Sequence, residues 1–143
     1  MPKQIDDRTV FQAVMLMVIE RGYAGATTKE IADAAKISEV SLFRKYGTKG
    51  ELVKTAIKAT VAECDFENAS RYTGEISKDL LRFLTCYQEL ANRCGQFFPT
   101  VFTEMPRYSE LADIEDILTD VFGNLESLLK DYQTHGQLQD CQQ

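Results

Sequence analysis

Apolar residues recur at helical spacing through most of the chain, and nowhere do they alternate strictly as a half-buried strand requires. Val10, Phe11, Val14, Met15, Met17 and Val18 form one stripe, predicting a helix over 8–22 that Gly22 ends. Leu16 and Ile19 widen that stripe toward the side where charge is expected, so they either pack on a helical body or form a partner patch. Ile31, Ala32, Ala34, Ala35 and Ile37 give an apolar side to a short helix, and Leu42, Phe43 and Tyr46 to a second over 39–46. The next pattern runs without interruption from Lys49 to about Ser70, and Arg71-Tyr72-Thr73-Gly74 breaks it. Leu80, Leu81, Phe83, Leu84, Tyr87, Leu90 and Ala91 then predict a helix over 78–94 that Ser77 caps and Gly95 stops. A short helix over 97–103 tolerates Pro99 near its start, and Pro106 bars its continuation. Ser109 caps a last helix over 110–135, with Ile114, Ile117, Leu118, Val121, Phe122, Leu125, Leu128 and Leu129 on its stripe. The chain is therefore expected to be all-α. Residues 1–6 read as frayed, and the tail from Gln137 through Cys141 to Gln143 as too polar for another packed element.

Three helix starts crowd into residues 27–52, each written in capping chemistry. In Thr27-Thr28-Lys29-Glu30 a Thr oxygen accepts an amide of the first turn while Glu30 reaches back, and Thr48-Lys49-Gly50-Glu51 repeats the box. Ser38 caps the helix between them, and Gly47 suits a left-handed end. Two short helices joined by a tight turn make the helix-turn-helix pattern, whose second helix enters the DNA major groove. With the first helix closing a small core, this predicts a DNA-binding domain over residues 1–53 and a helical body over 54–143.

Composition narrows the choices. A chain of 143 residues without Trp and with only three Pro suits one compact helical domain, or a small domain continuous with a helical body. No apolar run is long enough to span a membrane, and the N-terminus lacks the order of a signal peptide, so the expected location is cytoplasmic. Cys64, Cys86, Cys94 and Cys141 lack C-x-x-C spacing, and His135 alone cannot complete a zinc set; no metal and no cofactor is expected. The cysteines read as reduced thiols, with Cys86 and Cys94 on roughly one helical face as a lesser, redox alternative. A net charge of −6 argues against a nucleic-acid partner only when taken whole. Residues 1–60 hold ten Lys and Arg against seven Asp and Glu, and the remainder six against fifteen, as a basic reading head on an acidic body would. Catalysis finds no support: there is no Ser/His/Asp set and no phosphate-cradling Gly loop, and His135 near a helix end reads as a dipole partner.

The candidate DNA contacts divide by reach. Leu42 and Tyr46 face the core, whereas Val40, Ser41, Arg44 and Lys45 face the groove. Arg44 is a candidate for bidentate contact with guanine, or else sits on phosphate, and Val40 can touch a thymine methyl. Glu39 either accepts from cytosine or simply stabilises the first helical turn. Ser38 caps the reading helix, and Thr27, Thr28, Lys29, Phe43 and Lys49 are placed to hold the DNA backbone.

Val10 to Val53 resembles the DNA-binding domain of the TetR family of transcriptional regulators. The likeness lies in Glu20-Arg21-Gly22-Tyr23, Thr27-Thr28, Ile31-Ala32, Ile37-Ser38, Leu42-Phe43 and the Tyr46-Gly47-Thr48-Lys49 run. Leu16 departs from it, standing where the family usually places a polar residue. The resemblance implies a regulator, commonly a repressor, that binds a palindromic operator as a homodimer and is released by a small apolar ligand. It raises Phe83, Tyr87, Phe98, Phe102, Met105, Phe122 and Leu125 from a dry core to a candidate ligand pocket. The family continues past a segment like Gly136-Gln137-Leu138 with two helices that form its dimer interface; the sequence ends there, so dimerisation is not simply carried over. The alternative is a helical protein-interaction module, or a reading head active only with another subunit.

Overall fold

The computed structural model describes residues 5–138, and Cys141 lies outside them. Among the described residues eight α-helices follow one another: α1 (Asp7–Gly25), α2 (Thr28–Ala34), α3 (Glu39–Tyr46), α4 (Lys49–Ala62), α5 (Phe66–Ala69), α6 (Ile76–Cys94), α7 (Phe97–Glu104) and α8 (Ile114–Thr134). Two single 3-10 turns, Met105–Arg107 and Ser109–Leu111, lie between α7 and α8. All are helical, as the apolar spacing requires.

Four boundaries differ from the sequence expectation; the smallest is α6, which begins at Ile76, so that Ser77 lies within its first turn and does not cap it. The helix expected to run to Ser70 breaks after Ala62, because the Asp65 carboxylate accepts the Asn68 N–H at 3.1 Å and starts α5 afresh. The last helix begins at Ile114 rather than Glu110, since Ser109–Leu111 closes as a 3-10 turn around the fully buried Leu111. Helix α1 passes Gly22 and reaches Gly25, but with a kink: Gly22 sits at φ 74, ψ 171, a region open essentially only to glycine.

The chain forms two compact units. Of the described residues, the first holds 5–59 and 94–113, the second 60–93 and 114–138. The first unit thus adds α7 and both 3-10 turns to the helix-turn-helix head, a grouping that a linear division at Val53 does not contain. Its core is Val10, Val14 and Val18 of α1, Ile31 of α2, Leu42 of α3, Leu52, Val53 and Ile57 of α4, and Phe97 and Val101 of α7. Burying each such side chain contributes about 1.5–3 kcal/mol before entropy is counted. Leu16 and Ile19 stay exposed on α1. The second unit buries Phe66, Phe83, Leu90, Val121, Leu128 and Tyr132, with the Phe66 and Phe83 rings 5.6 Å apart.

Candidate nucleic-acid interface

The ends of the short helices are held by their own side chains. The Glu30 N–H donates to Thr27 Oγ1 at 3.1 Å and the Ser41 N–H to Ser38 Oγ at 3.0 Å. Thr48 and Glu51 close a reciprocal box, each amide 3.3 Å from the other's side-chain oxygen. Between α2 and α3 the chain reverses at Lys36, whose φ of 59 is left-handed, with the Ile37 N–H returning to the Ala32 carbonyl at 3.0 Å. A Gly is usual at such a helix end. The Lys there hid the turn's geometry from the sequence.

Helix α3 turns Leu42 and Tyr46 into the core and presents Val40, 66% exposed, and Phe43, 57% exposed. Glu39, Val40, Phe43 and Arg44 line a shallow hollow of about 430 Å³. Thr28 Oγ1 donates to Glu39 Oε1 at 2.8 Å, so this carboxylate ties the start of α2 to the start of α3. Lys29, Arg44 and Lys45 are exposed and Ser41 is half-buried. Lys45 Nζ lies 2.8 Å from Asp7 Oδ1, and the Tyr46 hydroxyl donates to the same oxygen.

Lys49 is held internally. Its Nζ donates to the Tyr23 carbonyl at 2.7 Å and sits 4.4 Å from the centre of the Tyr23 ring. Tyr23 is the hub of this end of the first unit: its N–H donates to Glu104 Oε2 at 2.5 Å, its hydroxyl to Glu110 Oε1 at 3.0 Å, and its ring lies 4.8 Å from that of Tyr108. Burial, then the Glu110 carboxylate, pushes the Tyr23 hydroxyl's pKa well up; burial pulls the Lys49 ammonium down against the opposing pull of Glu110 and Glu104. Sequence reasoning missed Glu104, Glu110 and Asp7. Nothing local marks the first two, and Asp7 reads only as a helix-start acid.

The seven candidate pocket residues divide between the units. Phe98, Phe102 and Met105 are half-buried in the first, where the Phe98 and Phe102 rings lie 5.9 Å apart. In the second, Phe83 is buried, Leu125 half-buried, and Tyr87 and Phe122 are exposed with ring centres 6.1 Å apart. A separate hollow of about 500 Å³ in the second unit is lined by residues of 65–69 and 78–89, with Arg82 and Cys86 among them. The Cys86 thiol meets that of Cys64; burial pushes both pKa values up, that of Cys86 to about 11.

A buried carboxylate organises the second unit. Asp79 accepts the Thr73 N–H at 2.8 Å, the Thr73 hydroxyl at 2.5 Å and the Tyr132 hydroxyl, with Arg82 Nη2 at 3.2 Å. Burial alone would raise its pKa, but these partners, Thr73 and Tyr132 first, bring it down to about 2.

Residues 12–56 match the profile of the bacterial regulatory proteins of the tetR family. The chain is 28% identical over 126 residues to an uncharacterized HTH-type transcriptional regulator, YvkB, of Bacillus subtilis (strain 168), covering 88% of this chain. It spans 65% of that relative's length. Among solved structures, a putative fatty acid metabolism regulator from Clostridium perfringens superposes with a TM-score of 0.80 at 20% identity, over 94% of this chain and 74% of that one. PfmR, a TetR family transcriptional regulator from Thermus thermophilus, does so with a TM-score of 0.73 at 17% identity, over 93% and 75%. Among the described residues, no helix is long and apolar enough to cross a membrane.

Proposed function

We propose that the chain, whose residues 12–56 match the tetR family of bacterial regulatory proteins, is a cytoplasmic DNA-binding transcriptional regulator of that family, a repressor released from a palindromic operator by a small apolar ligand. The observation that carries the reading is the outward face of α3. Val40, Phe43 and Arg44 stand exposed on a helix whose start is fixed by the Ser38 cap. Arg44 holds no ion pair among the described residues and is free to take a guanine edge, a contact worth about 1–3 kcal/mol of discrimination. Thr27, Thr28, Lys29, Phe43 and Lys49 hold the backbone, and Lys45, in the last turn of α3 rather than at its reading start, reaches the backbone at the groove's edge, while Glu39, engaged by Thr28, acts as a stabiliser.

Anisotropy titrations of the purified chain against genomic fragments and random duplex test this. Selected fragments are expected to bind more tightly than random DNA, and Arg44→Ala to cost more on the selected fragment. If no fragment outcompetes random DNA, the regulator reading falls; equal losses for Arg44→Ala on both would remove the base-reading role alone.

Support for an apolar ligand comes from the paired Tyr87 and Phe122 rings of the second unit and from the similarity to the putative fatty acid metabolism regulator of Clostridium perfringens. In this proposal the ligand acts through α4, which is continuous from the first unit into the second. Calorimetry with a fatty acid that binds without changing DNA affinity would remove the coupling. A second reading, in which the head acts with another subunit, is favoured by Leu81, Leu84, Tyr87 and Phe122, all exposed on α6 and α8. Light scattering decides it: a homodimer is expected for the repressor, and a monomer that shifts DNA only after a partner is added for the second reading.

A further inference from the structure

Asp7 opens α1, yet its carboxylate reaches the last turn of the helix proposed to read DNA. Lys45 Nζ lies 2.8 Å from Asp7 Oδ1, and the Tyr46 hydroxyl donates to that same oxygen. Tyr46 is itself anchored, buried with its ring packed edge-on against Phe11 at 5.8 Å. Asp6 fixes the start of α1 by accepting the Arg8 N–H at 3.1 Å. The Tyr46 hydroxyl thus holds the Asp7 carboxylate against Lys45 on a helix start that Asp6 fixes. Its acidity follows: the Lys45 hydrogen bond, then that of Tyr46, holds the Asp7 carboxyl below its ordinary value, so it is anionic at neutral pH.

A carboxylate oxygen on a lysine ammonium makes the same charge-assisted contact that a DNA phosphate oxygen would make. We propose that Asp7 is an intramolecular competitor for DNA phosphate, which holds Lys45 in the free protein and must be displaced before Lys45 can engage the DNA backbone. This rests on the reading of α3 as the groove helix. The neighbouring Arg44 has no such internal anion, so base reading proceeds without displacement while the backbone contact is discounted. Because the pair is exposed, with side chains 41% and 56% accessible, the exchange is cheap and the discount modest. It applies to every sequence alike, since a phosphate and not a base edge is contested. When phosphate takes Lys45, the freed carboxylate recruits a solution cation, which cancels the cation that the phosphate releases. The salt dependence of binding is thereby flattened by one contact.

The test is Asp7→Asn in the whole chain, titrated on random duplex DNA across a salt series beside Lys45→Met and the double variant. Asn keeps an acceptor for Tyr46, and circular dichroism verifies the fold of each. Asp7→Asn is expected to bind about two- to fivefold more tightly, with a log K against log salt slope steeper by about 0.9. In the Lys45→Met background the gain should vanish. An equal gain with Lys45 present and absent would show only general repulsion between Asp7 and DNA, and overturn the competitor role. So would an unchanged slope in a chain that binds DNA well. Absence of DNA binding by the unaltered protein at low salt, by contrast, would remove the regulator reading itself and this inference with it.

Discussion

Asp79 has no exposed surface, and at residue scale it is the clearest titrating stabiliser in the chain. Its folded pKa of about 2 lies below the ordinary 3.8, so its contribution is fully present above 3.8 and is lost as pH falls toward 2. Thermal unfolding from about pH 5 to about pH 2, the range over which such a carboxylate titrates, should show this decline, and Asp79→Asn should flatten it. Asp79→Ala, which orphans the Thr73 N–H and its other donors, is expected to cost about 1–3 kcal/mol. Lys49 has a different double role. Its ammonium already serves the Tyr23 carbonyl, so Lys49→Ala should cost about 1.5–3 kcal/mol of stability in denaturant melts as well as weaken DNA binding and flatten its salt dependence. None of these partnerships could be read from the sequence, because Asp79 meets Tyr132, and Tyr23 meets Glu104 and Glu110, across long stretches of chain.

The elements themselves were more transparent. Ser38, Thr27 and the Thr48/Glu51 pair act locally, and their hydrogen bonds form where the spacing placed them, but Glu30 pairs with Arg21 at 3.3 Å instead of reaching back to the Thr27 amide, so the first box closes on one side only. Ser38→Ala should therefore cost about 1 kcal/mol, with the loss visible as fraying of α3 in amide exchange. Gly22 is a case where a local signal was present but underread. It ends the regular helix as expected, yet the chain continues in helical form beyond it, and a Cβ there would lie 2.7 Å from Glu104 Oε1. Gly22→Ala is expected to lower stability by about 1–3 kcal/mol in equilibrium unfolding, through a backbone region closed to alanine. The break after Ala62 was missed because 49–70 reads as one unbroken pattern, whereas Asp65 is a cap only once the chain has turned.

At the scale of the molecule, charge is divided along the chain, with a balance of +3 in residues 1–60 and −9 beyond. An interface of this kind should bind random DNA with a steep salt dependence, each engaged Lys or Arg adding about 0.9 to the log-log slope. Lys29→Ala, which breaks no internal ion pair among the described residues, should remove about one such step.

Readable from the sequence alone were the helical class, the helix-turn-helix over 27–46 and the inward and outward faces of α3, because these depend on caps and side-chain periods only a few residues long. Tertiary structure alone decided what those helices are fastened to. It placed α7 and the turn at Ser109–Leu111 in the same unit as the reading head, set Glu104 and Glu110 on Tyr23, and seated Asp7 on Lys45. Such contacts join residues distant in sequence, and a carboxylate reads the same in sequence whether it meets water or a lysine from another helix.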